Sequence, residues 1–185
     1  MIVAIHGGVR VSPGPTRPER ADRLLEIAEE AYSVLRAGGS ALDAVERAVN
    51  LMEDDPSFNA GLGSSLNLLG EAEVDASIMD GSEMRAGAVG AVPRVRRAVS
   101  LARAVMEKTP HVLLVGEEAR RLALSLGIGG EDDLRTRRAE EIREVLLRQV
   151  RSGTAPGYLL RIGDLLSLYG EAGTVGALAL DSGGR

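Results

Sequence analysis

The chain has no cysteine and no tryptophan, only four aromatic side chains (Tyr32, Phe58, Tyr158 and Tyr169) and a single lysine, Lys108. Each shortage removes a class of function. Without cysteine there are no disulfides, no thiolate metal ligands and no thiol nucleophile. The two histidines, His6 and His111, stand far apart and give no His-x-x-x-His ligand pair, so metal chemistry would need carboxylates. Four aromatic rings supply base-stacking platforms poorly. No apolar run approaches a membrane span, and the opening Met1-Ile-Val-Ala-Ile lacks the basic start and small-residue cleavage site of a secretory signal. A cytoplasmic protein with no membrane or nucleic-acid partner is expected.

What is present fits one compact domain: 185 residues, 44% hydrophobic and 26% charged, with a net charge of −5. Arginine carries nearly all the positive charge. The clusters Arg94-Val-Arg-Arg97 and Arg135-Thr-Arg-Arg138 are short and embedded in an acidic protein, so they read as solvated faces rather than phosphate contacts.

Residues 1–5 read as a buried first strand stopping at His6-Gly-Gly8. Thr16-Arg-Pro-Glu19 has the form of a capping box, with Pro18 in the first turn of a helix running to about residue 37. Gly38-Gly39 closes it. Ser40-Ala-Leu-Asp43 starts a second helix with apolar positions at Ala41, Ala44, Val45, Ala48, Val49 and Met52. Residues 53–70 have no regular period and hold a lone Phe58, a long loop of the kind that is functional or specifically stabilised. Strands over 73–80 and 85–92, separated by Gly81-Ser82, predict a hairpin. A helix over 98–108, a buried strand over 110–115 and a helix over 117–126 follow. The charged stretch 131–151 reads as a solvated amphipathic helix, and 151–173 as a mobile linker. Residues 174–181 are an aliphatic strand entering the turn Ser182-Gly-Gly184, whose sheet is expected to be completed beyond Arg185 or by another chain.

Common catalytic motifs are missing: no Gly-x-Ser-x-Gly elbow, no phosphate loop, and Gly61-Leu-Gly63 lacks the third glycine of a dinucleotide fingerprint. Asp75 and Asp80 fall on opposite faces of a strand and cannot act as an acid/base pair. Gly173-Thr174 offers a hydroxyl at a linker-to-strand junction. Read from the residues alone, such a threonine serves β propensity.

Several blocks in order change that ranking: Ile5-His-Gly-Gly8; Phe58-Asn-Ala-Gly-Leu-Gly63 with Leu66-Asn67 and Asp75-Ala-Ser-Ile-Met-Asp-Gly81; residues 101–112; and Gly173-Thr-Val-Gly-Ala177. Together they resemble the plant-type asparaginase and isoaspartyl peptidase family of threonine N-terminal nucleophile hydrolases, and the Gly-Thr-Val-Gly-Ala form resembles its isoaspartyl peptidase branch most. Glycosylasparaginases share the architecture. The resemblance implies an α+β fold, a four-layer αββα sandwich that is incomplete in this chain. Residues 1–150 would be the α-subunit, 151–173 the linker and 174–185 the start of the β-subunit. It implies self-cleavage between Gly173 and Thr174, after which the Thr174 amine serves as base for its own hydroxyl. The substrates implied are L-asparagine and β-aspartyl dipeptides, no catalytic cofactor is needed, and the assembly is a dimer of αβ units.

Asn59 corresponds to a family residue near the nucleophile, and His6 with its glycines to the floor of the site. The carbonyls of Met52, Glu53, Asp55, Phe58, Ala60 and Leu62 correspond to a sodium-binding loop; the alternative is a loop ordered by Pro56 and buried Phe58 alone. Two departures stand out. Val9-Arg10 replaces the family's usual Ala-Gly, and the family's Thr-Ser-Thr-Gly-Gly, substrate-gripping Arg-x-Gly-Asp and Thr-Gly oxyanion segments do not follow Thr174. Arg161-Ile-Gly-Asp164 precedes the nucleophile and is read as coincidence. The 185 residues alone are expected to be inactive, so a truncated, non-catalytic subunit is the competing reading.

Overall fold

The computed structural model describes residues 1–8, 18–67, 69–154 and 174–185. In chain order these form β1 (Ile2–His6), α1 (Pro18–Arg36), α2 (Ala41–Glu53), a single 3-10 turn at Gly61–Gly63, β2 (Glu73–Asp80), β3 (Arg85–Pro93), α3 (Ala98–Lys108), β4 (Leu113–Val115), α4 (Gly116–Leu126), α5 (Arg137–Arg151) and β5 (Gly176–Leu180). The fold is a mixed α+β arrangement with two small sheets, one ordered β1-β5 and the other β2-β3-β4.

Local chemistry accounts for the helix starts. Ser40 Oγ accepts the Asp43 N–H at 3.1 Å and the Asp43 carboxylate accepts the Ser40 N–H at 3.0 Å, a reciprocal cap that starts α2. Thr136 caps α5 through Ala139 N at 3.2 Å. The solvated helix therefore begins at residue 137 rather than 131, because an N-cap side chain ends the extended run before it. Pro18 opens α1 as expected, while Thr16 and the linker from residue 155 to 173, including Arg161 and Asp164, lie outside the described residues.

The hairpin forms where the sequence placed it. β2 and β3 are antiparallel, with a bulge between Val74 and Ala76. There the Asp75 carboxylate accepts the N–H of Ala91, which is held at a φ of 49°. α3 lies directly on this sheet because Gly87 has no side chain: a Cβ there would sit 2.2 Å from the Ala102 carbonyl oxygen. Val74, Ile78, Val89 and Val92 meet Leu101, Ala102, Val105 and Met106 of α3, with Ala119 and Ala123 of α4, in the main core. A smaller cluster of Ile27, Ala31, Ala48, Met52 and Phe58 supports β1 and β5. α2 serves both, and its polar edge is tied to α3 by Arg103, which reaches Asp43 at 2.8 Å and Glu46 at 2.6 Å.

Two expectations are corrected. β1 is half-covered, not buried: Ile2, Ala4 and His6 are exposed while Val3 and Ile5 face the helices, since only one side of the ribbon carries a layer. β4 is a short edge strand parallel to β3, with Leu113 and Val115 exposed for the same reason. β5 pairs antiparallel with β1. No described helix is long and apolar enough to cross a membrane.

Candidate active site

The β1–β5 register sets the site. His6 pairs with Gly176, so two residues further on Gly8 and Thr174 face each other beyond the ends of both strands. A Cβ built on Gly8 would stand 3.8 Å from Thr174 N and 3.7 Å from its carbonyl oxygen. Gly8 has a φ of 96°, in the region that favours glycine. Thr174 is exposed and lies two residues ahead of β5, outside the strand. Its carbonyl is 3.2 Å from His6 Nδ1; as a carbonyl only accepts, Nδ1 carries the hydrogen in this bond. The floor residue of the sequence reading thus touches the candidate nucleophile directly. Gly173 is outside the described residues.

The loop after α2 reaches the same place through Phe58, which is 1% exposed. Its Cε1 and the Leu24 Cδ1 would each lie 2.9 Å from a Cβ on Gly7, so the end of β1 is wedged between α1 and the loop. Asn59, next to Phe58, is half-buried and its Oδ1 accepts from Ser65 N at 2.8 Å and Ser65 Oγ at 3.1 Å.

The loop is anchored on both sides. Arg23 of α1 reaches Asp55 at 3.1 Å and Arg97 reaches Asp54 at 2.8 Å. Burial alone would raise the Asp55 pKa; bonds from Ser57 and Arg23 outweigh it and hold the carboxyl below its ordinary value. The carbonyls of Met52, Asp55 and Ala60 accept backbone N–H groups of Asp55, Phe58 and Gly63 at 3.3, 3.2 and 2.9 Å. Those of Glu53 and Phe58 face Gly61 and Gly63 so closely that a Cβ would lie 2.3 and 1.8 Å away. Among the described residues no group of three or more His, Asp or Glu side chains is placed to hold a metal. A cation here would take backbone carbonyls, a donor set suited to a hard ion.

Glu53, the last residue of α2, has a buried side chain that its sequence setting does not announce. Beside Asp54 and Asp55 it reads as one more solvated acid, yet it is 3% exposed. Its Oε1 accepts the Val99 N–H at 3.1 Å, capping α3 where Arg97 gives no side-chain cap, and its Oε2 is buried without a partner among the described residues. Burial pushes its pKa up to about 8. Asp75 and Asp80 are structural: Asp80 caps the hairpin turn through Ser82 and Glu83.

The sequence profile of the asparaginase family matches residues 1–185. The chain belongs to that family. It is 42% identical over 190 residues to the isoaspartyl peptidase/L-asparaginase of Rattus norvegicus, covering 100% of this chain and 53% of that protein. Against the protein of the same name in Homo sapiens it is 42% identical over 191 residues, covering 100% of this chain and 57% of the relative. The plant-type L-asparaginase of Pyrococcus horikoshii is 41% identical over 185 residues, covering 97% and 59%. The chain thus spans little more than half the length of the curated relatives it matches.

Proposed function

We propose that this asparaginase-family chain carries the nucleophile of an amidohydrolase that cuts itself between Gly173 and Thr174 and then hydrolyses L-asparagine and β-aspartyl dipeptides. The observation that carries the reading is the setting of Thr174: exposed, ahead of β5, with its carbonyl held by His6 and its backbone against Gly8. The substrates follow the names of the relatives.

In maturation the Thr174 Oγ attacks the Gly173 carbonyl carbon, the peptide C–N bond breaks, and the nitrogen leaves as the Thr174 amine. Water then hydrolyses the resulting ester. The freed amine has a reference pKa of ~7.7–8.0, so it is partly unprotonated near neutrality. It takes the hydroxyl proton as Oγ bonds to the substrate's side-chain amide carbon. That proton goes to the departing ammonia or amino compound, and water releases aspartate from the acyl-enzyme. Asn59 is assigned to the wall beside the nucleophile. The carbonyls of Met52, Glu53, Asp55, Phe58, Ala60 and Leu62 are assigned to a sodium ion whose task is to order the loop.

The finer architecture belongs to the same reading: a second sheet and further helices complete an αββα sandwich, and αβ units pair as dimers. The exposed outer face of the β1–β5 ribbon, with Ile2 at 62% and Leu178 at 75%, supports a covering layer. The test is ammonia release from asparagine by protein expressed from its complete reading frame. Activity that disappears in Thr174→Ala is expected; activity that survives it removes Thr174 as nucleophile, and a folded protein with none removes the amidohydrolase.

A further inference from the structure

We propose that Arg20 is a positioning residue for the threonine terminus, locking the Gly7–Gly8 peptide against which Thr174 lies; this rests on the reading of Thr174 as nucleophile. Two successive glycines opposite a reacting group have no steric preference of their own, so something outside the strand must choose their orientation. Arg20, on the first turn of α1, is placed to do so. Its guanidinium carbon sits 5.0 Å over the centroid of the Phe58 ring, and its Nη2 donates to the Gly7 carbonyl.

The point where a Gly8 Cβ would stand gathers the participants: Arg20 Nη2 lies 3.5 Å from it, Thr174 O 3.7 Å and Thr174 N 3.8 Å. One planar cation therefore joins the loop to the glycine turn, and the backbone of Thr174 lies against that turn. Stacking on Phe58 uses the guanidinium face while the Gly7 bond uses its edge, a combination an ammonium cannot reproduce. Phe58 and Leu24 close the other sides of Gly7, so the peptide is fixed from α1, the loop and the guanidinium together.

Arg20→Ala and Arg20→Lys, made in protein expressed from its complete reading frame, test this. In Arg20→Ala, self-cleavage and kcat should each fall about ten- to a hundred-fold, with KM changing less than about two-fold, as expected when a reacting group is misplaced. Amide exchange at Gly7 and Gly8 should accelerate while the melting temperature stays near that of the parent. Methylguanidinium added to Arg20→Ala should recover part of the rate, and Arg20→Lys, which keeps a donor but not the planar face, less of it. An Arg20→Ala protein that matures and turns over like the parent overturns the proposal. So does a loss that tracks melting temperature and is not recovered by either rescue. If the parent itself yields no fragment starting at Thr174, the nucleophile reading falls. Amide exchange then decides the clamp: faster exchange sustains it and unchanged exchange overturns it.

Discussion

The two sheets share only α2 among their covering helices and are finished to different degrees. The β2-β3-β4 sheet has a continuous core with α3 and α4, closed by Gly87 letting α3 approach the strands. The β1–β5 ribbon has two strands, a five-residue cluster beneath it and an exposed outer face. A two-stranded ribbon is marginal by itself. Its strands come from opposite ends of the chain, and cleavage ahead of Thr174 would leave their pairing wholly non-covalent. The lesson is a division of labour: the larger core lies with the hairpin sheet, whereas the candidate chemistry lies at the open end of the ribbon.

The largest expected effect tests that division. Phe58→Ala should cost ~3–5 kcal/mol, because it empties the cluster under the ribbon and removes the wall of Gly7. Hydrogen exchange should show β1 and β5 losing protection while β2 and β3 keep theirs; equal loss in both sheets would erase the contrast. Arg103→Ala cuts the tie between the helices that serve the two sheets. Burial by itself would raise the Asp43 pKa, but the bonds from Arg103 and Ser40 hold it below its ordinary value. Asp43 thus stabilises the fold above the unfolded carboxylate range, and that contribution fades as pH falls through its depressed folded value. The variant should lose ~2 kcal/mol near neutrality, read by urea unfolding.

Glu53 sharpens the comparison at the junction of α2 and α3. Its folded pKa of about 8 lies above the ordinary 4.5, so the folded state keeps a proton that the unfolded chain releases. Stability is fully present below about 4.5, declines as pH rises to about 8 and levels off above it. Glu53→Gln should flatten this slope and be more stable than the parent by ~1–2 kcal/mol at high pH. Denaturation across the pH range checks it; parallel curves for the two proteins would show that Glu53 is not the titrating group. The smallest effect belongs to the hairpin sheet. Ala91→Gly relieves a φ of 49° and should stabilise by ~1 kcal/mol without altering maturation.

Much of the fold was legible where local chemistry decides the outcome. Ser40 and Asp43 mark the start of α2, and Gly81-Ser82 separates two strands that do pair. What failed was non-local. A run such as Ile2-Val-Ala-Ile5 looks the same with one face covered or two, and no local signal pairs residue 2 with residue 180. Thr136 is hard to read as a cap because the charges around it resemble a continuous solvated helix. At the site, Thr174 was visible only through family resemblance, since a threonine before a strand has an ordinary explanation. Glu53 and Arg20 were hidden for a simpler reason: burial against Val99 and stacking on Phe58 depend on residues tens of positions away.

The central claim is that Thr174 becomes a chain terminus. N-terminal sequencing of mature protein expressed from its complete reading frame tests it most directly. The account predicts two termini, one of them starting Thr-Val-Gly-Ala. A folded, active protein with a single terminus and the Gly173–Thr174 bond intact would contradict it.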